Sequence, residues 1–242
     1  INHLAADLIK SSVSNESAYM IEREQVRNIG VVLITSNNSM CGAFNANIIK
    51  RALVVLNELN RQYPQAKVIF YPLGKTGEEF LVKNKFNVVS CNNAIIEKPS
   101  VERTKDFFNL LNSLYLGNEL DRIVLVYNSF KNAATQIQKV ETLLPLVTPD
   151  EQYGSEDLRI VEPDPATLLD RLLPYYLLNS LHSSILESSA AEHGARMTAM
   201  HQATENATTI MNNLILEYNK ARQASITNEI LEIVSGANAL SH

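Results

Sequence analysis

The last 68 residues of the chain, 175–242, contain no proline and only two glycines, Gly194 and Gly236. Because proline breaks a helix and glycine weakens it, this composition predicts one very long helix. At 1.5 Å per residue such a helix would be roughly 100 Å long, more than the diameter of an ordinary domain. Part of it must therefore extend beyond any compact core.

Mostly small and apolar side chains recur along this helix at alternating spacings of three and four residues. The average of 3.5 is the repeat of a left-handed coiled coil. The seam consists of Met200, Ala203, Ala207, Ile210, Leu214, Glu217, Ala221 and Ala224. Since polar residues flank it and helix propensity alone is weak, the helix requires a partner helix.

Upstream, between residues 30 and 147, short apolar runs alternate with amphipathic segments. The runs lie at 31–34, 67–73, 86–90 and 122–127, and the helical patterns at 46–60, 77–84 and 101–115. This alternation predicts a Rossmann-like α/β domain with a mostly parallel sheet. The alternation of Ile137, Lys139 and Glu141 predicts an edge strand over 135–144.

The chain is therefore predicted to have three regions. Residues 1–29 are polar and contain a short helix at 3–10, residues 30–161 form the α/β domain, and residues 162–242 form the long helix. Two prolines, Pro163 and Pro165, suit the start of that helix.

Charge and cysteine content exclude several classes of protein. The net charge of −5 argues against a general nucleic-acid binder, which needs a basic excess. Cys41 and Cys91 cannot form a disulfide framework or fill a four-ligand zinc site alone, so we expect a reducing, cytosolic setting. No signal peptide opens the chain and no apolar run is long enough to span a membrane, so we expect membrane contact only through partners.

The sequence contains no complete motif for binding a nucleotide or a metal ion. Gly74-Lys75-Thr76 resembles the end of a P-loop, but Ile69 stands where the first glycine belongs, and no GxGxxG follows the first strand. Cys41 lies between a strand and a helix, as a nucleophile would, yet a buried apolar role suits it better. The histidines His182, His193 and His201 lack the i, i+4 spacing of a metal pair. We expect no cofactor, no metal and no catalytic residue.

Three separated blocks, 36–45, 192–200 and 218–239, resemble one family, the gamma subunit of F-type ATP synthase of the bacterial type. The segment 226–239 reads Ile-Thr-x-Glu-x-x-Glu-x-x-x-Gly-Ala-x-Ala, like the C-terminal signature of that family. The resemblance runs from about residue 19 to 240. The family's long N-terminal helix, which completes an antiparallel coiled coil, has no counterpart before Ile1, and residues 1–29 would be a remnant of that region and a linker.

Two departures from the family pattern stand out. The loop 36–42 reads Ser-Asn-Asn-Ser-Met-Cys-Gly and lacks an acid, a base and a glycine that the family usually has. Gly194 stands where the family usually has alanine, and we interpret it as a flexible point in the long helix.

The resemblance implies a function as the central rotor shaft, which couples ion-driven rotation of the membrane ring to ATP synthesis at alpha/beta catalytic sites. The shaft would have no active site of its own. Its partners would be the alpha, beta and epsilon subunits and the membrane rotor ring, with no nucleic acid. It would lie peripherally on the cytoplasmic face of the bacterial inner membrane.

The resemblance also implies contact residues. Those that would face the alpha and beta subunits are Arg196, Arg222, Gln223, Thr227, Glu229, Ile233 and Leu240. Glu162 would lie in the rotor foot, on the side of epsilon and the ring.

Two other function classes remain open at this point. A Rossmann-like small-molecule or nucleotide-binding enzyme with a helical extension would have a pocket at the strand ends near residues 36–41. A coiled-coil adaptor would show helicity driven by its partner. Because the exposed seam lacks a partner helix, we also expect this chain to associate with itself.

Overall fold

The computed structural model describes residues 17–23, 25–90, 93–146 and 165–240, and for 165–170 and 238–240 it describes the backbone alone. The chain divides into two compact units, Ile1–Met197 and Thr198–His242. The predicted helix at 3–10 and the predicted boundary between residues 161 and 162 lie outside the described residues.

The first unit contains a four-stranded sheet in the order β2-β1-β3-β4. The strands are β1 (Asn28–Ile34), β2 (Lys67–Leu73), β3 (Arg122–Asn132) and β4 (Thr135–Leu144). β1 pairs in parallel with β2 and β3, whereas β4 runs antiparallel to β3. The sheet is therefore mostly parallel with one antiparallel edge strand, and the predicted α/β fold class is confirmed.

Four helices join or cover these strands: α1 (Phe44–Gln62), α2 (Lys75–Lys83), α3 (Ala94–Glu97) and α4 (Val101–Leu116). The predicted strand at 86–90 was wrong in extent, since only a single parallel bridge joins Phe70 and Val88. Two backbone hydrogen bonds to Phe70 make this bridge. Polar Asn87 and Ser90 flank the apolar residues of this short run, which leaves little to bury as a fifth strand.

Successive residues of the central strands enter two different cores, because side chains alternate between the faces of a sheet. In β1, Val32 and Ile34 belong to one cluster, with residues of α4, and Val31 and Leu33 to the other, with residues of α1. β3 alternates in the same way. Both faces of the sheet are therefore buried, which explains why its strands are continuous apolar runs.

The long helix, α5 (Pro165–Leu240), has 76 residues and begins at one of the two prolines expected at its start. Pro174 lies inside it and removes one backbone hydrogen bond. Four residues at i, i+4 spacing, Leu173, Leu177, Leu181 and Ile185, are fully buried in the core of the first unit. The packing of these four side chains stabilises the helix around Pro174.

In the second unit, Thr198–His242, the helix is exposed at nearly every described position. The seam residues Ile210 and Leu214 are both 59% exposed. Within the described ranges, the predicted coiled-coil seam has no partner helix. None of the helices described in the structure has the length and hydropathy of a membrane span.

Candidate subunit interface

An apolar strip follows one side of the exposed helix. It is formed by Ala207, Ile210, Met211, Leu214, Ile215 and Tyr218. These residues recur at spacings of three and four, so they share one face of α5. A contiguous apolar strip of this length is unusual on the surface of a monomer and marks an interaction surface.

The predicted contact residues near the end of the helix are exposed wherever the structure describes their side chains. Arg222 and Glu229 make no side-chain hydrogen bond or ion pair with any residue the structure describes, and Ile233 is 71% exposed. These three lie seven and four residues apart and therefore share one face. Thr227 instead donates its hydroxyl hydrogen to the backbone oxygen of Gln223 at 2.8 Å. The side chain of Leu240 lies outside the described residues, as does Glu162.

Arg196 has a different environment, within the first unit. Its Nη2 donates to Glu192 Oε1 at 2.6 Å, one helical turn away. The Glu192 side chain is only 9% exposed, so the pair is largely shielded from water. Arg196 is therefore paired within its own helix, unlike Arg222. The contact of Arg196 with a partner subunit stays a prediction.

Gly194 lies against the turn between β3 and β4, and this packing gives it a role other than a flexible point. A Cβ added there would be 3.1 Å from Ala133 Cα and 3.1 Å from a ring carbon of Phe130. Glycine lets the hairpin turn approach the helix closely.

A nucleotide-binding enzyme would have its pocket at the carboxyl edge of the sheet. Here asparagine side chains accept the backbone N–H groups at that edge. The backbone N–H of Gly74 donates to Asn93 Oδ1 at 2.9 Å, and that of Lys75 donates to Asn37 Oδ1 at 3.0 Å. Asn93 Nδ2 in turn donates to Glu78 Oε2 at 2.6 Å. The N–H groups of Gly74 and Lys75 lie at the start of α2, where a phosphate would otherwise bind.

The remaining donors of this turn are used in the same way. Gly77 N–H donates to Thr35 Oγ1 at 3.0 Å, and Thr76 N–H donates to the Ser36 backbone oxygen at 3.3 Å. Gly74 has φ +114°, and a Cβ there would be 2.3 Å from the Thr35 oxygen. The residues that resemble the end of a P-loop therefore pack on Thr35 and Ser36, directly after β1.

The loop after β1 is held by a second group of polar contacts. Asn45 Oδ1 accepts the Ser36 N–H at 3.0 Å, and Asn45 Nδ2 donates to Ser36 Oγ at 2.7 Å. Cys41 is 3% exposed and packs with Phe44, Ala191 and Ala195. The expected buried role of Cys41 is confirmed, and Cys91 lies outside the described residues.

The described residues contain no group of His, Cys, Asp and Glu that could hold a metal ion. His182 Nδ1 is 2.9 Å from Thr104 Oγ1. Because that hydroxyl donates to the Ser100 oxygen, it accepts from His182. His201 faces Glu205 on the exposed helix at 3.6 Å.

Sequence reasoning missed an ion pair at the opposite, amino edge of the sheet. Arg23 Nη1 lies 2.6 Å from Asp121 Oδ1, and Arg23 also donates to the backbone oxygens of Tyr115 and Leu120. Asp121 Oδ2 accepts the N–H groups of Arg27 and Asn28, the residues that lead into β1. The ion pair therefore ties the start of β1 to the end of α4.

Burial raises the pKa of Asp121, but hydrogen bonds from the Asn28 amide, the Arg23 guanidinium and the Arg27 amide outweigh it, and the net pKa is lowered. Burial also raises the pKa of Tyr127, and the neighbouring Glu141 carboxylate, which accepts its hydroxyl hydrogen at 2.9 Å, raises it further.

Comparisons with known proteins agree with this geometry. A family model described as ATP synthase matches residues 1–240. The ATP synthase gamma chain of Christiangramia forsetii is 42% identical over 245 residues, which cover 100% of this chain and 83% of that protein. The gamma chain of Flavobacterium johnsoniae is 44% identical over 225 residues, 93% of this chain and 77% of that one.

Solved structures show the same fold. The mitochondrial ATP synthase of Euglena gracilis contains a similar chain with a TM-score of 0.63 and 21% identity, covering 95% of this chain and 78% of that one. A chain of the central stalk and c-ring structure from Tetrahymena thermophila gives a TM-score of 0.56 at 20% identity, with 84% and 86% coverage.

Proposed function

Because the chain belongs to the ATP synthase gamma-chain family, we propose that it forms the central rotor shaft of an ATP synthase. In this role it couples rotation of an ion-driven membrane ring to ATP synthesis by the alpha and beta subunits. It lies peripherally, on the cytoplasmic face of a bacterial inner membrane.

The shaft itself is non-catalytic in this proposal. The closed carboxyl edge supports that part, since Asn37, Asn93 and Thr35 occupy the amide donors that a nucleotide phosphate would need. The alternative function, a Rossmann-like nucleotide-binding enzyme, is not favoured by the family match. Micromolar ATP or NAD binding to the isolated chain in a calorimeter would contradict the non-catalytic role.

The observation that carries the proposal is the two-part burial of one continuous helix. The first part of α5 is fixed in the core by Leu173, Leu177, Leu181 and Ile185. The second part exposes both an apolar strip and unpaired polar side chains. A helix fixed at one end and exposed beyond it can transmit torque from a domain to surrounding subunits.

The proposed contact residues divide by their position in the sequence. Arg222, Gln223, Thr227, Glu229, Ile233 and Leu240 contact alpha and beta subunits near the helix end, and Arg196 makes a similar contact lower down. Glu162 lies on the side of epsilon and the membrane ring. The free charges of Arg222 and Glu229 make polar contacts with the catalytic subunits, and apolar neighbours such as Ile233 slide without strong pairing.

The experiment is an assembly of this chain with matching alpha and beta subunits in a coupled enzyme. Replacing Arg222 and Gln223 together by alanine removes two polar contacts of about 1 kcal/mol each and lowers coupled ATP synthesis by up to about 30-fold. The matched control replaces Asn212 and Asn213, exposed on the same helix, by alanine. Normal synthesis by the Arg222/Gln223 variant, with helicity unchanged, would show that these residues do not carry torque.

A further inference from the structure

A cavity of about 230 Å³ opens at the amino edge of the sheet, away from the closed carboxyl edge. Its lining includes Tyr63 just after α1, Arg122 at the start of β3, and Arg23 with Asp121. Arg122 pairs in register with Ile29 at the start of β1, which places the cavity where parallel strands begin. No residue of the predicted subunit contacts lies in it.

Two hydrogen-bond donors converge in this cavity. Arg122 Nη1 donates to the hydroxyl oxygen of Tyr63, and the guanidinium carbon lies 5.7 Å from the centre of that ring. Because the Tyr63 oxygen accepts this bond, its own hydrogen remains available to a ligand. Within the described ranges Arg122 has no carboxylate partner, so its other N–H groups are also available.

The neighbouring charges do not cancel that of Arg122. Asp121 lines the same cavity, but one of its oxygens binds Arg23 and the other accepts the N–H groups of Arg27 and Asn28. Among the described residues that line the cavity, the carboxylate left unpaired is that of Glu22, which is exposed at the rim.

Three further cations lie at the same edge of the sheet, outside the lining of the cavity. Arg27 precedes β1, Lys67 begins β2 opposite Asn28, and Arg61 lies in the last turn of α1. All three are exposed and form no ion pair with any residue that the structure describes. The unpaired carboxylates among the described residues of this edge are those of Glu22 and Glu119, so the unpaired cations, Arg122 included, outnumber them by four to two and attract anions.

We propose that this cavity binds a phosphate group, held by the guanidinium of Arg122 and the hydroxyl of Tyr63. A guanidinium presents two parallel N–H groups to two oxygens, and the hydroxyl supplies a donor for a third. Phosphate has enough acceptor oxygens for all three donors, whereas a carboxylate has two. The group can belong to inorganic phosphate or to a phospholipid headgroup.

The test has one arm for each source. The first titrates the 242-residue chain with inorganic phosphate against sodium chloride of equal ionic strength, followed by calorimetry. The second measures cosedimentation with phosphatidylcholine vesicles that contain phosphatidylglycerol, against vesicles of phosphatidylcholine alone. Phosphate binding with a dissociation constant of about 1 mM supports the proposal, and vesicle binding alone supports it with a lipid headgroup as the source.

Variants make the site specific. Arg122→Gln weakens binding about tenfold and Tyr63→Phe, which keeps the ring, about threefold. Glu22→Gln removes the opposing charge at the rim and strengthens binding. The matched control, Lys75→Gln, removes an exposed cation at the opposite edge and leaves binding unchanged.

Arg122→Lys keeps the positive charge but removes the planar guanidinium. Binding is therefore expected to fall, but less than in Arg122→Gln. Thermal unfolding without ligand shows whether each variant is folded. The proposal is overturned if neither probe binds, or if Arg122→Gln, folded, binds as the unaltered chain does. It is equally overturned if Lys75→Gln weakens binding as much as Arg122→Gln, since only general charge would then be at work.

Discussion

Replacement of Asp121 by asparagine tests whether the ion pair with Arg23 stabilises the first unit. Asp121 accepts hydrogen bonds from Arg23 at 2.6 Å, from Arg27 N–H at 2.7 Å and from Asn28 N–H at 2.9 Å. Asparagine has the same shape but one acceptor oxygen and no charge. One of its two ends must therefore face the existing donors with an NH₂ group.

The size of the effect follows from the burial of the pair. The Asp121 side chain is 9% exposed and that of Arg23 is 21% exposed, so water replaces the lost contacts poorly. A hydrogen bond to a charged group contributes about 1.5 to 3 kcal/mol, and one such bond is lost. We expect Asp121→Asn to lower the free energy of unfolding by about 2 to 3 kcal/mol at neutral pH. Asp121→Ala, which removes all three bonds, lowers it by about 3 to 5 kcal/mol.

The difference between the original chain and Asp121→Asn depends on pH in a defined direction. The folded pKa of Asp121 is lowered, so its stabilising contribution is complete above the unfolded pKa of about 3.9. The contribution falls as pH drops below that value through the folded pKa. The two stabilities therefore differ most at neutral pH and converge under acid conditions.

The assay is urea unfolding followed by tyrosine fluorescence at neutral pH and at several acid pH values. Glu119→Gln is the matched control because its exposed carboxylate has no described partner. An unchanged unfolding midpoint in Asp121→Asn at neutral pH would refute the stabilising role. A stability difference that stays constant as pH falls would show that the charge of Asp121 is not its source.

Three further predictions concern glycines and the exposed strip. Gly236→Ala, with nothing within 4 Å of the added Cβ, raises helicity, a gain of up to about 1 kcal/mol, and Gly194→Ala gains less because its Cβ would lie 3.1 Å from the hairpin backbone. Gly74→Ala forces a Cβ to 2.3 Å from a backbone oxygen at φ +114° and lowers the free energy of unfolding by about 3 kcal/mol or more, measured by urea titration. Sedimentation equilibrium at micromolar concentration shows self-association of the chain, which the double variant Ile210→Lys with Leu214→Lys abolishes; a monomer in both cases contradicts this expectation.

The periodic parts of the fold were predictable because each period has one physical cause. Residues 31–34 form a continuous apolar run because Val32 and Ile34 face one core while Val31 and Leu33 face the other. The long helix was predictable from the absence of proline after Pro174. Its start was predictable from Pro163 and Pro165, whereas its continuation through Pro174 is accompanied by burial of Leu173 in the domain core, which composition alone does not reveal.

The tertiary contacts were not predictable, because their partners are distant in sequence. Arg23 and Asp121 are separated by 98 residues, and Asn37 meets Asn93 across 56. No local pattern marks either pair. Gly194 shows the same limit. In the sequence, a glycine within a helix suggests flexibility, whereas the structure shows that the hairpin backbone packs closely against it.

The two edges of the sheet explain why motif searching points to the wrong end of this domain. Parallel α/β folds bind ligands at the carboxyl edge, where helix N-termini offer free amides. Here Asn93, Asn37 and Thr35 accept those amides, so the resemblance of residues 74–76 to a P-loop has no binding consequence. Unused donors lie instead at the amino edge, on Arg122 and Tyr63, and no sequence motif describes that pair. A ligand of this chain is therefore expected where hydrogen-bond donors have no acceptor in the structure, and phosphate is the first one to test.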